Sequence, residues 1–323
     1  MPVSGTREEG RAVRVAVVCG GVGAARLLVG VRRVLPAESI VAVANVGDDL
    51  ELHGLHVSPD LDTITYTTSG AVSQERGWGL EGETWQAMDM IRRYGGVDWF
   101  NLGDRDLGTH LYRTHRLHQG ATLAEATAEI IAAWGLDFTL LPVTNDRLRT
   151  MVTTVDEGEI SFQEYFVRRQ HNVAVTSVRF DGAEATRPGP GVLEALRGAD
   201  RIVVAPSNPA VSIDPVLAVP GVRAVLAERR ERVIAVSPII GGRALKGPAD
   251  RLLAELGYPA SAEGVATWYA DVVGTLVIDA VDADLAPAIE ALGLRAVVTD
   301  TVMSTPEVTD ALARTVCGLP QWH

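Results

Sequence analysis

Short apolar runs, each ended by glycine or a polar loop, set the pattern of the chain. The first spans residues 13–18, continuous and β-branched, as in a strand buried on both faces. Gly20, Gly21 and Gly23 follow, and residues 24–35 have the spacing of a helix with one apolar face. A second run, 40–44, leads into an acidic loop. Strand, glycine loop, helix and strand at this spacing predict a unit of parallel sheet. Further buried strands are expected at 202–205, 233–236, 276–278 and 296–298. Helices alternate with them at 213–228, 249–256, 262–269, 285–292 and 306–316.

The middle of the chain breaks this alternation. Residues 70–135 read as a helical insertion, clearest at 83–94 and 123–134. "RTMVTTVDEGEISFQEYFV" then has two β-rich runs around Asp156-Glu157-Gly158, a β-hairpin that could extend an edge of the sheet. The expected fold is α/β: a doubly wound, mostly parallel, Rossmann-like sheet with a helical insertion and a β-hairpin excursion. Its nucleotide-binding core would comprise 13–69 and 136–323, preceded by a flexible N-terminus over 1–12.

Composition narrows the function classes. The chain has 323 residues, 47% hydrophobic and 22% charged, with a net charge of −12. An acidic chain is a poor general ligand for nucleic acid, so an anionic substrate must be neutralised locally. Cys19 and Cys317 make no disulfide framework and no zinc ribbon. The first residues lack the apolar stretch of a signal peptide and no segment has the length of a membrane span, so a cytoplasmic protein without membrane partners is expected.

In an open α/β sheet, ligands bind beyond the carboxyl ends of the strands, and four polar or glycine-rich loops follow strands here. "CGGVGAAR" places backbone N–H groups at a helix N-terminus, where they can hold a phosphate. It lacks the third glycine of G-x-G-x-x-G and is not a P-loop, and a tight turn explains it equally well. A dinucleotide site would want an acid at the end of the second strand, but Asn45 stands there, which disfavours NAD. The acidic loop "ANVGDDLELHGLHVSPDLDT" suits an oxygen-liganded cation such as Mg²⁺, with Asp48 and Asp62 as its ligands. His53 and His56 form H-x-x-H without the further ligands of a zinc site and read as packing or polar-loop residues. Asp49, Glu51 and Asp60 receive no role.

"APSNPAVSIDP" offers Ser207, Asn208 and Ser212 to a ligand, or forms a simple turn. "SPIIGGRALKGPAD" offers backbone donors at Gly241, Gly242 and Gly247 beside Arg243 and Lys246. Four such loops on one sheet suggest a nucleotide-like ligand. Within the insertion, Asp104, Arg105, Asp106 and His110 crowd together, and Asp104 with Arg105 reads equally as a structural ion pair. Trp78 and Trp85 could stack on a flat ligand or belong to a core.

Taken in order, "GGVGAARLL", "NVGDDLELHGLHVSPDLDT", "RGWGLEGETW", "LGDRDLGTHLYR", "LLPVTND", "FQEYFV", "APSNPAVSI" and "VSPIIGGRALKGPA" resemble the 2-phospho-lactate transferase family over roughly residues 13–316. Its actinobacterial branch is a phosphoenolpyruvate transferase. The resemblance implies a Mg²⁺-dependent homodimer of coenzyme F-420 synthesis. Its acceptor is the deazaflavin Fo, and its donor is guanosine diphosphate carrying phosphoenolpyruvate, 2-phospholactate or a related acid. It implies catalytic and metal roles for Asp48 and Asp62, and phosphate contacts from Gly21, Gly23, Ala24 and Arg26. Ser207, Asn208, Gly241 and Lys246 would bind the guanosine half, and Asp62, Trp85 and Asn101 would face Fo. Gly20, Asp104, His110, Ser212, Pro238 and Gly247 complete the expected substrate-binding set. The alternative is a nucleotide-binding relative of the same fold with a regulatory role and no deazaflavin activity. Such relatives diverge at "GWGLEGETW" and "LGDRDLGTH", which this chain retains.

Overall fold

The computed structural model describes residues 12–321, so the N-terminal segment expected to be flexible lies almost wholly outside the described residues. Seven strands form the central sheet: β1 Val15–Cys19, β2 Ile40–Ala44, β3 Thr139–Pro142, β4 Arg201–Val204, β5 Val233–Val236, β6 Thr275–Ile278 and β7 Arg295–Val298. They lie in the order β7-β6-β5-β4-β1-β2-β3, and every pairing is parallel. This is the doubly wound order with one further strand, and its direction reverses between β1 and β4. The central strands are almost wholly apolar because helices cover both faces; β1 is buried at every position, and in β4 only the leading Arg201 is polar.

β3 is absent from the sequence-based expectation. It is a short edge strand with Thr139 exposed and Leu141 half-buried, so it lacks the continuous apolar signature of its neighbours. The expected helix at 213–228 is broken. Pro209–Ile213 forms a π-type turn, followed by Asp214–Leu217 and Val222–Glu228. Pro220 and Gly221, the latter at φ 87°, end one segment and start the next. No single helix among the described residues is long and apolar enough to cross a membrane.

The hairpin appears as expected but does not join the parallel sheet. Arg149–Thr154 pairs antiparallel with Gly158–Ser161 and with Val175–Asp181 in a separate three-stranded sheet. Its alternating face buries Thr150, Val152 and Thr154. Val152 joins Phe162, Tyr165, Val175, Ala210, Val211 and Leu252 in a small second core, so side-chain burial and not edge pairing anchors it.

The acidic loop is more ordered than its composition suggests. Leu50–Leu52 and Leu55–Val57 form a ribbon turning at His53 and Gly54, both at positive φ. Helix α2, Pro59–Thr68, then begins with proline in its first turn, so Asp60 and Asp62 are helical residues. Helix α1, Gly21–Val34, also packs on the C-terminal helix Pro306–Cys317; a Cβ at Gly30 would lie 2.7 Å from the Thr309 carbonyl. The insertion supplies α3 Gln86–Arg93, α4 Asp104–His118 and α5 Leu123–Ala133.

Candidate active site at the carboxyl ends of the sheet

The crevice predicted by the strand order lies between the loops after β1 and β4. The Ser207 hydroxyl donates to the Gly20 carbonyl at 2.7 Å and ties the two loops together. Both glycine positions are set by close approach. A Cβ at Gly23 would sit 2.2 Å from the Pro206 carbonyl, and one at Gly20 would sit 2.7 Å from an Asp60 oxygen. Gly21 adopts φ 70°, and its N–H donates to Asp60 Oδ1 at 2.7 Å. Since that donor is occupied, anion binding here falls to the other first-turn N–H groups of α1, which lack intrahelical partners.

Next to this loop lies a buried group of carboxylates. Asn45, at the end of β2, accepts from the Gly47 N–H and donates to Asp60 Oδ2 at 2.9 Å. Asp49 Oδ2 accepts from the Ser58 hydroxyl at 2.8 Å and meets His56 Nε2 at 2.9 Å. Asp48, Asp49 and Asp60 are all at most 6% exposed. Asp48 Oδ1 and Asp49 Oδ1 are buried without a hydrogen-bond partner. Burial, and then the charge of Asp60, pushes the Asp48 carboxyl well up. Burial likewise lifts Asp60 to about 6, against the hydrogen bonds from Asn45 and Gly21. Crowded acids with unpaired buried oxygens favour a cation between them.

Asp62 has a different environment. Arg113 grips both its oxygens, one through Nη2 and the other through Nη1 at 3.2 Å. His110 Nδ1 lies 3.6 Å from Asp62, and His110 Nε2 lies 3.3 Å from Asp106. The Tyr66 hydroxyl donates to Asp106 at 2.6 Å. Burial raises the Asp62 carboxyl despite the charges of Arg113 and His110. Burial also acts on Asp106, but the hydrogen bond and charge of His110 outweigh it and hold that carboxyl low. Asp62, Asp106 and His110 have the spacing of a metal cluster, but Arg113 already neutralises Asp62. Asp48 and Asp62 therefore share one cleft while standing in different neighbourhoods, and Asp60 is the acid beside Asp48.

The cleft has a volume of about 910 Å³. It contains the predicted Gly20, Gly21, Gly23, Arg26, Asp48, Asp62, Asn101 and His110. Ser207, Asn208, Ser212, Pro238, Lys246 and Gly247 line it as well. Four predicted residues lie elsewhere. Ala24 is buried in the core. The Gly241 N–H donates to the Asp282 carboxylate, and the residue is outside the lining. Trp85 borders an adjoining hollow of about 390 Å³ with Trp78, Asp89, Arg92 and Asn101. Asp104 is a helix cap: it accepts from the Gln86 and Ala87 N–H groups, both at 3.0 Å, at the start of α3. Glu83 does the same for α4, accepting from the N–H groups of Arg105 and Asp106. Arg105 donates to the Glu81 carbonyl rather than to Asp104.

Several lining residues escaped sequence reading. Arg76 packs over the rings of Trp78 and Trp85, at 5.7 and 5.5 Å. Trp99, Phe100, Phe162 and Phe166 add aromatic surface, and the loop Thr301–Ser304 after β7 closes the far end. The two tryptophans beside a polar loop and the segment "FQEYFV", which carries Phe162 and Phe166, pointed toward this wall without giving its residues a role.

Among known proteins, the family model described as 2-phospho-L-lactate transferase CofD matches residues 15–312. A phosphoenolpyruvate transferase of Streptomyces griseus is 41% identical over 314 residues, covering 96% of this chain and 99% of that one. One from Nocardia farcinica is 41% identical, covering 93% and 94%. A solved UPF0052-family structure from Bacillus halodurans superposes with a TM-score of 0.65 at 17% identity, over 95% of this chain and 99% of that one; that likeness speaks for the fold. With its cleft at the expected switch point and a family match spanning nearly every element of the sheet, this chain belongs to the 2-phospho-L-lactate transferase CofD family.

Proposed function

We propose that this protein is a phosphoenolpyruvate transferase of coenzyme F-420 synthesis. The ribityl hydroxyl of Fo attacks the donor phosphorus that carries the enolpyruvyl group. An oxygen–phosphorus bond forms, the bond to the second phosphate breaks, GMP leaves with the electron pair, and the proton of the hydroxyl passes to solvent. The reading rests above all on one juxtaposition: a helix N-terminus beside partnerless buried carboxylate oxygens, in a cleft with an aromatic wall.

The chain's own residues divide the work. The first turn of α1, with Arg26, holds the diphosphate. Lys246, Ser207 and Asn208 take the guanosine half. Trp78 and its aromatic neighbours stack on the deazaflavin, and Asp62 accepts the hydrogen bond of the attacking hydroxyl. Asp48 suits Mg²⁺, because its free oxygen lies beside Asp60 and neither of these two carboxylates forms an ion pair among the described residues, which makes Asp60 the next candidate ligand. A bound Mg²⁺ would neutralise charge on the diphosphate. The active protein is expected to be a cytoplasmic homodimer, which light scattering of the purified chain checks for assembly.

Turnover is the test. Purified protein with Mg²⁺ and Fo is offered donors carrying phosphoenolpyruvate, 2-phospholactate or phosphoglycerate, and GMP and product are followed. Fastest turnover with phosphoenolpyruvate is expected; no turnover with any donor refutes the proposal.

A further inference from the structure

Arg113 lies beneath the cleft wall and not on it. It sits on α4, is 1% exposed and is outside the cleft lining. Its guanidinium nevertheless holds two residues that face the cleft. Besides gripping both Asp62 oxygens, the guanidinium places Nη1 3.3 Å from both His110 Nδ1 and the His56 carbonyl, so that the two hydrogens of this nitrogen are shared among three acceptor positions.

The contact with His110 bears on where the imidazole proton sits. A guanidinium only donates and stays protonated, so a hydrogen bond from Arg113 to Nδ1 requires that nitrogen to be bare. The neutral ring would then carry its proton on Nε2, a buried nitrogen 3.3 Å from Asp106 whose geometry falls short of a well-aligned hydrogen bond. Asp106 is anchored in turn by the Tyr66 hydroxyl. One buried side chain thus touches both a carboxylate and a ring that line the cleft.

We propose that Arg113 is a positioning residue of the acceptor site, fixing Asp62 and His110 so that the wall presents an aimed hydrogen-bond acceptor to the attacking hydroxyl. The role in turnover rests on the transferase reading above. Lysine would keep the charge but donates from a single nitrogen, so it cannot span both carboxylate oxygens and the ring. A merely structural ion pair would, when altered, weaken the fold without distinguishing the two substrates.

The test uses the full chain and the variants R113K and D62N. Nitrogen-15 shifts of the His110 ring are read first, without substrate. A single Nε2–H tautomer is expected in the wild type, and a mixed or reversed one in R113K. A protonated Nδ1 in the wild type, or an unchanged ring in R113K, overturns the proposal. Kinetics come second: in R113K the kcat/KM for Fo should fall on the order of a hundredfold while the donor KM stays within about twofold. Equal losses for both substrates, or none, overturn the positioning role. The double variant D62N/R113K should be no slower than D62N alone, and additive losses would count against action through Asp62. Absence of wild-type turnover would remove the transferase reading, while the ring shifts still decide whether Arg113 sets the tautomer. That wild-type measurement stands even if R113K fails to fold.

Discussion

At the scale of single residues, the site is built from acids held in the wrong solvent. Asp48 and Asp60 are buried and close, and burial raises both carboxyls, Asp60 to about 6 from its usual 3.8. A carboxyl that binds its proton more tightly in the folded state stabilises the fold most below its unfolded value. That contribution disappears as pH rises through the folded value. The metal-free protein should therefore lose stability between pH 3.8 and about 6. Asp60 accounts for about 3 kcal/mol of this loss, at about 1.4 kcal/mol for each tenfold gain in proton affinity. Urea denaturation of the wild type and Asp60→Asn across this range checks the sign, with a flatter profile expected for the variant. An equal fall in both would show that Asp60 is not strained. Mg²⁺ should restore the lost stability above pH 6, since a cation competes with protons for the same oxygens.

Among the elements, the insertion is held by an exchange of caps. Asp104 serves the first turn of α3 and Glu83 the first turn of α4, each acid placed against unpaired N–H groups. Asp104→Ala should lower the thermal stability of the protein, as loss of an N-terminal cap does, and leave donor KM unchanged. Thermal unfolding and steady-state kinetics together check this; a rise in donor KM would return Asp104 to the substrate. The glycine loop, α1 and β2 were legible from pattern alone, because fully buried parallel strands have no polar alternation to confuse them. α2 was hidden, since a helix beginning Pro-Asp-Leu-Asp looks like more of the acidic loop before it. The edge strand β3 and the broken helix after β4 went unread because edge exposure and a Pro-Gly pair override the apolar period.

Across the whole molecule, the cleft spans the sheet from the insertion beyond β2 to the loop after β7, and the proposed function would place the two substrates side by side along it. Trp78→Ala should weaken Fo binding by about 1–3 kcal/mol, roughly ten- to a hundredfold in Kd, as loss of one stacking partner does. Lys246→Ala should instead raise donor KM and spare Fo affinity. Fo fluorescence titration and donor kinetics on both variants test this, and matching losses on both substrates would mean that the cleft is not divided this way.

The order of apolar runs by itself determined the α/β class, the glycine turn and which loops would gather, since burial on both faces leaves a continuous apolar signature in a strand. Family-specific loops added most of the residues that meet in the cleft. The tertiary structure alone decided the partners. Two acids two residues apart, Asp60 and Asp62, fall into different electrostatic settings: one answers to Gly21 and Asn45, the other to Arg113. Arg113 lies 51 positions from Asp62, and Asn101, from the insertion, shares the cleft with that acid. No local pattern carries such pairings, because the desolvation and charge that set a side chain's chemistry come from whatever the fold packs against it.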